Sequence, residues 1–489
     1  MIKFKRARNS LLNISKLPPE ILGNIFCWSV TPEGNFGDFD GLKEDSHDFL
    51  LVCHHWFEVA MRTPELWCSW GNTLEDWERW HRRSGAAPLD LILDDEGDLD
   101  DILCNTLQDR AAADRIRRVH LKSRDSELLN SIIASLIVEC EEIRSNSVES
   151  LVLCTHSEGV DLSDFFAHYR FPKLRRLDLS DCTISSWDHL TSRTGALTNL
   201  ELNLFIDPNP SPTTSQLLSI LVSNPTLQRL ALHGCAIPND NGGKSSFRVP
   251  LHYLKELELS GYSPDVIKFL HRLDHPADMD RLTLDLIDCL IAEISQTVGP
   301  YFRDYVRGRG RSQTGLELFS FRRDAKLYVG DVHETGRRMD PFMWIGLTLG
   351  ETLPDLVAHA PPEEIVYFEM HNDLMAMGDV YMQFPNLRTI SLTRLPLSSV
   401  FPMPNLGGGG GVFLSLRYVF LRDLIVDSGD WSPLTTFLAR RMSSGNRLDV
   451  LEISTSPHMC PEVVEIISGA VQELKVKYPD PVCRFGICS

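Results

Sequence analysis

This sequence lacks the patterns that usually announce a metal site, a membrane span or a secreted protein. Its 12 cysteines stand singly, and no Cys-x-x-Cys pair occurs, so neither a zinc site nor a thioredoxin-like motif is indicated. No uninterrupted run of about 18 apolar residues exists, so no membrane-spanning helix is predicted. The basic segment MIKFKRAR is not followed by an apolar stretch, so no secretory signal is expected.

Positive charge is also scarce. The chain has 48 Lys and Arg against 67 Asp and Glu, a net charge of −19. Phosphate backbones and anionic membrane surfaces attract basic proteins, so binding to nucleic acid or membrane is not expected. Free cysteines without a secretory signal predict a reducing compartment, the cytoplasm or the nucleus.

Catalytic and cofactor motifs are missing too. The segment NGGKSS resembles the end of a phosphate-binding loop, but Pro238 occupies the position of the required first glycine. Gly407 to Gly411 has no following Lys-Ser/Thr, and His271 and His275 have no third ligand at a recognisable spacing. We therefore predict a non-enzymatic protein with no cofactor, no metal and no small-molecule substrate.

The first informative segment predicts a small helical module. KLPPEILGNIFCWS carries a helical apolar face, and Pro18 and Pro19 suit a helix start. A second amphipathic helix is predicted over Val52 to Ala60. Thr63-Pro64 then favours a short third helix, with Thr63 as its cap.

These residues carry a resemblance. The segment resembles the F-box of fungal (basidiomycete-type) F-box proteins with C-terminal leucine-rich repeats. The resemblance lies in LPPEILGNIF, followed after a spacer by LLVCHHWFEVAMRTPELW. The matching positions are Leu17, Pro18, Glu20, Ile21, Leu22, Ile25, Phe26, Val52, Cys53, Trp56, Leu66 and Trp67. The resemblance implies that residues 15–85, after a flexible segment 1–14, bind the Skp adaptor of a Skp–cullin–F-box ubiquitin ligase through these twelve side chains. The alternative is a helical cap without adaptor binding.

Residues 88–489 carry an internal repeat. FPKLRRLDLSDCTI and NPTLQRLALHGCAI share the pattern Leu-x-x-Leu-x-Leu-x-x-Cys-x-Ile, which is typical of leucine-rich repeats. Weaker copies include VESLVL, LTNLEL, LKELEL, MDRLTL, LRTISL, LRYVFL and LDVLEI. Their period of about 20–29 residues predicts an α/β fold, a curved solenoid with a parallel sheet on its concave face. The pattern fails at 290–362, where an insertion or degenerate repeats are expected.

The residue between the two leucines of each copy should point outward from the sheet. The residues at these positions are Asp178, Glu201, Ala231, Glu258, Thr283, Ser391, Phe420 and Glu452. Six of them, Asp178, Glu201, Glu258, Thr283, Phe420 and Glu452, are predicted to bind the target. Four of the eight are acidic and none is basic, which favours a basic protein target, although generic surface charge explains the count equally well. The combined expectation is a substrate-recognition subunit of a ubiquitin ligase. The alternative is a ligase-independent scaffold or sensor.

Overall fold

A computed structural model describes most of the chain. The described residues are 13–30, 48–68, 74–93, 110–123, 125, 127, 129–130, 133, 147–155, 160–168, 170–194, 196–205, 211–238, 247–276, 278–308, 314–321, 324–332, 339–348, 353–371, 383–394, 397, 414–424, 426, 430–454 and 459–477. They form two compact units, Met1–Leu227 and Gln228–Ser489.

The first unit contains five parallel strands in one sheet, in the order β1-β2-β3-β5-β7, and a separate pair, β4 and β6. Their bounds are β1 Leu89–Leu93, β2 Ile116–Ser123, β3 Ser150–Thr155, β4 Val160–Asp161, β5 Arg176–Ser180, β6 Cys182–Thr183 and β7 Asn199–Leu204. Behind the sheet strands lie short helices, Ser163–His168, Asp188–Arg193 and Thr214–Ser223.

The second unit contains eleven strands of the main sheet, in the order β8-β10-β12-β15-β14-β13-β16-β17-β18-β19-β20. The bounds are β8 Arg229–Gly234, β9 Val249–Pro250, β10 Glu256–Tyr262, β11 Leu273–Asp274, β12 Arg281–Ile287, β13 Thr314–Phe321, β14 Asp324–Val332, β15 Met339–Thr348, β16 Ile365–His371, β17 Thr389–Thr393, β18 Tyr418–Arg422, β19 Leu448–Ser454 and β20 Val471–Lys477. Strands β9 and β11 pair separately. The predicted α/β class with a large parallel sheet is confirmed.

Helices connect several strands of the second unit. They are Ser263–Leu270, Ile291–Glu293 continuing through a π-helical turn at Ile294–Val298 into Gly299–Gly308, Leu353–Val357, Ser432–Ser443 and Pro461–Ala470. The stretch 290–362, where the repeat pattern fails, begins with this helical run. It then contributes three strands, β13 to β15, whose mutual pairings are antiparallel. Strands β13 and β15 still pair parallel to β16 and β12, so the stretch adds strands to the sheet.

Leucine pairs hold neighbouring strands in register. In the first unit Leu151 faces Leu177, which faces Leu200. In the second unit Leu230 faces Leu257, which faces Leu282. All six side chains are at most 2% exposed. Because side chains alternate along a strand, burying this column fixes which residues point to the opposite face.

The chain turns sharply where several of these strands end. Asp181, Asp288, Arg394 and Asp423 have positive φ values of 54°, 54°, 59° and 49°, and each directly follows a strand. This left-handed conformation is costly for residues other than glycine, so the surrounding structure must compensate. At Asp181 the compensation is visible, since its carboxylate accepts the Phe205 N–H at 2.8 Å from the end of β7.

The helical head lies in the first unit. Its elements are a 3-10 turn Asn13–Lys16, α1 (Pro19–Val30), α2 (Phe49–Val52), α3 (His54–Met61), a 3-10 turn Pro64–Trp67 and α4 (Leu74–Ser84). The predicted continuous helix from Val52 to Ala60 is therefore wrong. Cys53 is extended (φ −163°, ψ 165°) and separates α2 from α3. Of the predicted flexible segment 1–14, residues 1–12 lie outside the described part of the chain.

Thr63 does not cap the Pro64–Trp67 turn as predicted. Its hydroxyl instead donates to the Val59 carbonyl at 2.9 Å. A Cβ at Gly23 would lie 2.8 Å from the Thr63 Oγ1, so only glycine lets α1 approach this closely. Hydrogen bonds connect the end of the head to the sheet. The guanidinium of Arg115, the residue before β2, donates to Ala87 O at 2.8 Å and to Ser84 Oγ at 2.7 Å. The predicted boundary between 85 and 88 thus falls inside the first compact unit.

One buried amide joins consecutive repeats of the first unit. The Asn224 side chain is 1% exposed, accepts the Leu197 N–H at 3.0 Å and donates to Ile220 O at 2.8 Å. We predict that Asn224→Ala lowers the free energy of unfolding by about 2 kcal/mol, because it leaves a buried N–H without its acceptor. Chemical denaturation measures this.

Asn446→Ala is the matched control. Asn446 is half-buried, and the structure shows its side chain donating only to Ser444 in its own turn. We expect a loss within about 0.5 kcal/mol. Equal losses in the two variants would contradict a special role for the Asn224 bridge.

Candidate interaction surfaces

The helical head has a small aromatic core. Phe26 on α1 stacks on Phe49 with ring centroids 4.6 Å apart and meets Trp56 at 5.1 Å. Trp67 donates its indole N–H to Ala60 O at 3.0 Å and meets Trp80 edge-on at 5.8 Å. These contacts explain why the head holds together although it is small.

The twelve residues that resemble an F-box divide into two groups. Four of them, Leu22, Phe26, Leu66 and Trp67, are at most 3% exposed and form the core of the head. They hold the helices in place and are not available to a partner in this conformation. The other eight are partly or largely exposed: Leu17, Pro18, Glu20, Ile21, Ile25, Val52, Cys53 and Trp56.

Helix α1 presents two apolar faces. Leu22 and Phe26 point into the core, whereas Ile21, Ile25 and Trp28 are 47%, 39% and 75% exposed. The spacing of four and three residues places the exposed three along one stripe of the helix. Sequence reasoning missed Trp28, which the same i, i+4, i+7 spacing identifies.

Exposed apolar side chains continue on α2 and α3. Leu51 is 85% exposed, and Val52 and Phe57 are also exposed. Neither Leu51 nor Phe57 belonged to the predicted set. We call Ile21, Ile25, Trp28, Leu51, Val52 and Phe57 the head apolar surface. So many large apolar side chains exposed on one small module make these residues a candidate contact surface.

The second candidate surface is the sheet face opposite the leucine column. In the first unit, register places Asp178 beside Glu201, as the sequence predicted. Asp178 is only 9% exposed, and Arg176 on the same strand contacts its carboxylate at 3.4 Å. Glu201 accepts from the Asn203 side chain at 3.1 Å. The predicted acidic positions are therefore close together and already engaged.

The second unit shows the same pairing. Register aligns Ala231, Glu258 and Thr283, of which Ala231 and Thr283 are buried. Arg229 reaches Glu256 at 2.7 Å and Glu258 at 3.9 Å, from a flanking position of the same face. The prediction of a basic target counted only the central residue of each strand. The flanking arginines and histidines on this face were left out of that count.

Farther along, register aligns Glu369, Ser391, Phe420 and Glu452 on neighbouring strands. Glu369, which sequence reasoning did not single out, is 8% exposed and accepts hydrogen bonds from the Tyr367 hydroxyl and, at 2.8 Å, from Ser391. Burial raises the pKa of Glu369, but hydrogen bonds from His371, Tyr367 and Ser391 outweigh it and hold that pKa below its usual value.

In the described part of the chain, no group of three or more His, Cys, Asp or Glu side chains is arranged to hold a metal ion. His275, one of the two spaced histidines, meets the Tyr301 hydroxyl at 2.7 Å. Among the described helices, none combines the length and the apolar composition needed to cross a bilayer.

Two comparisons with known proteins, one against family models and one against curated proteins, found no relative. No protein-family model matches the chain, and no curated protein matches it either.

His120 lies on β2 of the first unit, on the sheet face opposite the leucine column, and its burial can be tested. It is 1% exposed, and its Nε2 lies 3.0 Å from Ser150 Oγ. Burial, reinforced by Arg176 and Arg118, lowers the pKa of His120 from 6.5 to about 3. As the pH falls, the His120 imidazole therefore becomes protonated in the unfolded chain before it does in the folded one. Neutral His120 contributes its full stability above about pH 6.5, and that contribution is lost toward about pH 3.

We predict that His120→Gln, which keeps a hydrogen-bonding side chain, flattens the loss of stability between about pH 6.5 and about pH 4.5. The wild-type slope from this residue is about 1.4 kcal/mol per pH unit. Denaturant unfolding at a series of pH values measures it. His252→Gln, at an exposed histidine, is the control; an unchanged slope in His120→Gln would refute a neutral buried imidazole.

Proposed function

We propose that this chain is the substrate-recognition subunit of a Skp–cullin–F-box ubiquitin ligase. The helical head is an F-box-like module that binds the Skp adaptor, and the leucine-rich repeats form a solenoid whose exposed sheet face binds a protein target. The chain itself performs no catalysis in this proposal. It brings the target to the ligase.

The observation that carries the proposal is the head apolar surface. Leu22 and Phe26 already supply the core of the head, so Ile21, Ile25 and Trp28 are not needed for folding. A helix that is apolar on two sides is stable in water only at a cost, and a partner removes that cost by covering the second side. The resemblance of LPPEILGNIF and VCHHW to an F-box supports the Skp adaptor as that partner.

The energy available is sufficient for binding. Fully burying one large aliphatic or aromatic side chain contributes about 1.5–3 kcal/mol. The six side chains are 39–85% exposed, so each contributes only part of this amount, and the ordering of two surfaces must be subtracted from the sum. A few exposed residues near the centre of such a patch usually supply most of the affinity. Trp28 and Leu51, the two most exposed members, are the first candidates.

The repeat region supports the second half of the proposal. Strand, turn and connecting segment recur with leucine columns in register, so adjacent strands bring distant parts of the sequence onto one face. That face carries hydrogen-bonded and ion-paired groups, which suit specific protein recognition better than indiscriminate adhesion. An alternative is a scaffold with the same two surfaces but no ligase.

We predict that Leu51→Asp and Trp28→Asp each reduce capture of the Skp adaptor at least tenfold, because a carboxylate replaces an apolar contact worth about 1.4 kcal/mol or more. Both side chains are exposed, so the melting temperature should stay close to that of the wild type. Co-expression with the Skp adaptor, followed by affinity purification and quantification of the bound adaptor, measures the effect.

Leu414→Asp is the matched control, because Leu414 is 57% exposed and belongs to the second unit, whereas the head belongs to the first. Adaptor capture should not change in this variant. Trp56→Ala is a poor test, since Trp56 contacts the core residue Phe26 and its loss disturbs the head itself. A wild-type chain that captures no adaptor would favour the ligase-independent scaffold.

A further inference from the structure

The carboxyl ends of five neighbouring strands bring together a row of side chains that sequence reasoning did not identify. Register pairs His371 with Thr393, Thr393 with Arg422, Arg422 with Ser454, and Ser454 with Lys477. Residues paired in parallel strands point to the same face of the sheet. We call these five residues the strand-end row. It contains three side chains that can carry positive charge, two hydroxyls and no carboxylate.

The cations of the strand-end row remain accessible. The Arg422 side chain is 49% exposed and makes a loose ion pair with Glu369, at 3.8 Å. The Lys477 side chain is 65% exposed and contacts Glu452 at 2.8 Å, which uses one of its three donors. Both therefore have donors left for a ligand.

The glutamates on this face of β16, β19 and β20 each have a partner, which for Glu369 and Glu452 includes a member of the strand-end row. Glu369 is held by Tyr367, Ser391 and His371. Glu452 is held by Lys477, and Glu473 contacts Lys475 at 3.1 Å. Glu369 and Glu452 lie two residues before the ends of their strands, and Glu473 lies four residues before the end of β20. The side chains of Glu369 and Glu452 are only 11% and 17% exposed, less than those of Arg422 and Lys477. An approaching ligand thus meets the cations first.

A hydroxyl in the strand-end row is unused. Thr393 Oγ1 is buried, and within the described part of the chain it has no hydrogen-bond partner. A buried polar atom without a partner is costly, and a native protein usually keeps one only for a reason. Phe420, half-buried in the adjacent row, supplies an apolar contact beside it. The two exposed cations and the aromatic ring suit an anionic peptide, and the Thr393 hydroxyl gains a partner if the flanking side chains move aside when the peptide binds.

We propose that the strand-end row binds an acidic peptide segment, with carboxylates on Arg422 and Lys477 and the chain crossing the strands. Arg422 and Lys477 lie two strands apart, about 9.6 Å for ideal spacing. Three residues of a polyproline II helix rise about 9.3 Å and return to the same side. The best ligand therefore carries a carboxylate at every third residue.

The inference rests on the proposed use of the sheet face for target binding, but not on adaptor binding. It also reverses the expectation of a basic target, at least for strands β16 to β20. The protein as a whole carries a charge of −19, which repels an acidic peptide. Binding of an acidic peptide would thus reflect specific contacts at the strand-end row, because the overall charge of the protein attracts basic peptides.

The test uses the full chain and fluorescein-labelled peptides with anisotropy as the readout. The probe repeats Glu-Pro-Pro; one comparison peptide repeats Lys-Pro-Pro, and another has the probe's composition with its glutamates contiguous. We expect the probe to bind most tightly. Arg422→Gln and Lys477→Gln should each weaken it about tenfold, and Thr393→Val should weaken it several-fold without lowering the melting temperature.

Arg417→Gln is the matched control, since it removes the same charge one residue before β18, from a side chain that is 66% exposed and directed to Asp449. It should leave affinity unchanged. Tighter binding of the lysine peptide, equal affinity for the two glutamate peptides, or equal loss in Arg417→Gln and Arg422→Gln would each overturn the proposal. Leu51→Asp should bind the probe normally, so failure of adaptor docking and failure of this site are separable.

Discussion

The structure depends on keeping one column of leucines buried while parallel strands stay in register. Leu177 and Leu257 illustrate the constraint, since each is at most 1% exposed and lies between equivalent leucines of the two neighbouring strands. A slip of one residue would expose every leucine of a strand and bury its charged neighbours. The same register that protects the core therefore also assembles the opposite face, and any recognition site there is a by-product of core packing.

The head shows a different use of apolar residues. Phe26 and Trp67 complete a core that the module needs in order to fold, whereas Trp28 and Leu51 contribute nothing to that core and stay in water. Helix α1 is consequently apolar on two sides. Stability accounts for one of those sides, and the proposed association would account for the other. The division within a single helix separates residues that build the core of the head from exposed residues that are available to a partner.

Charges on the sheet face follow a consistent rule. Each carboxylate that is largely buried there, such as Asp178 or Glu369, has a cation or hydroxyl donor beside it. Burial of an unpaired carboxylate would be prohibitively costly, so these contacts are a condition of folding. What remains for recognition lies at the margins, where Arg422 and Lys477 extend beyond their partners into solvent.

The sequence by itself determined the local pattern. The spacing of leucines located strands such as β5 and β8, and the i, i+4 spacing of Leu22 and Phe26 located α1, because alternation and helical periodicity are properties of short segments. Tertiary structure alone decided three matters: the break at Cys53, the antiparallel strands β13 to β15, and the alignment of Arg422 with Lys477. Each depends on contacts between residues far apart in the chain, which no local pattern encodes.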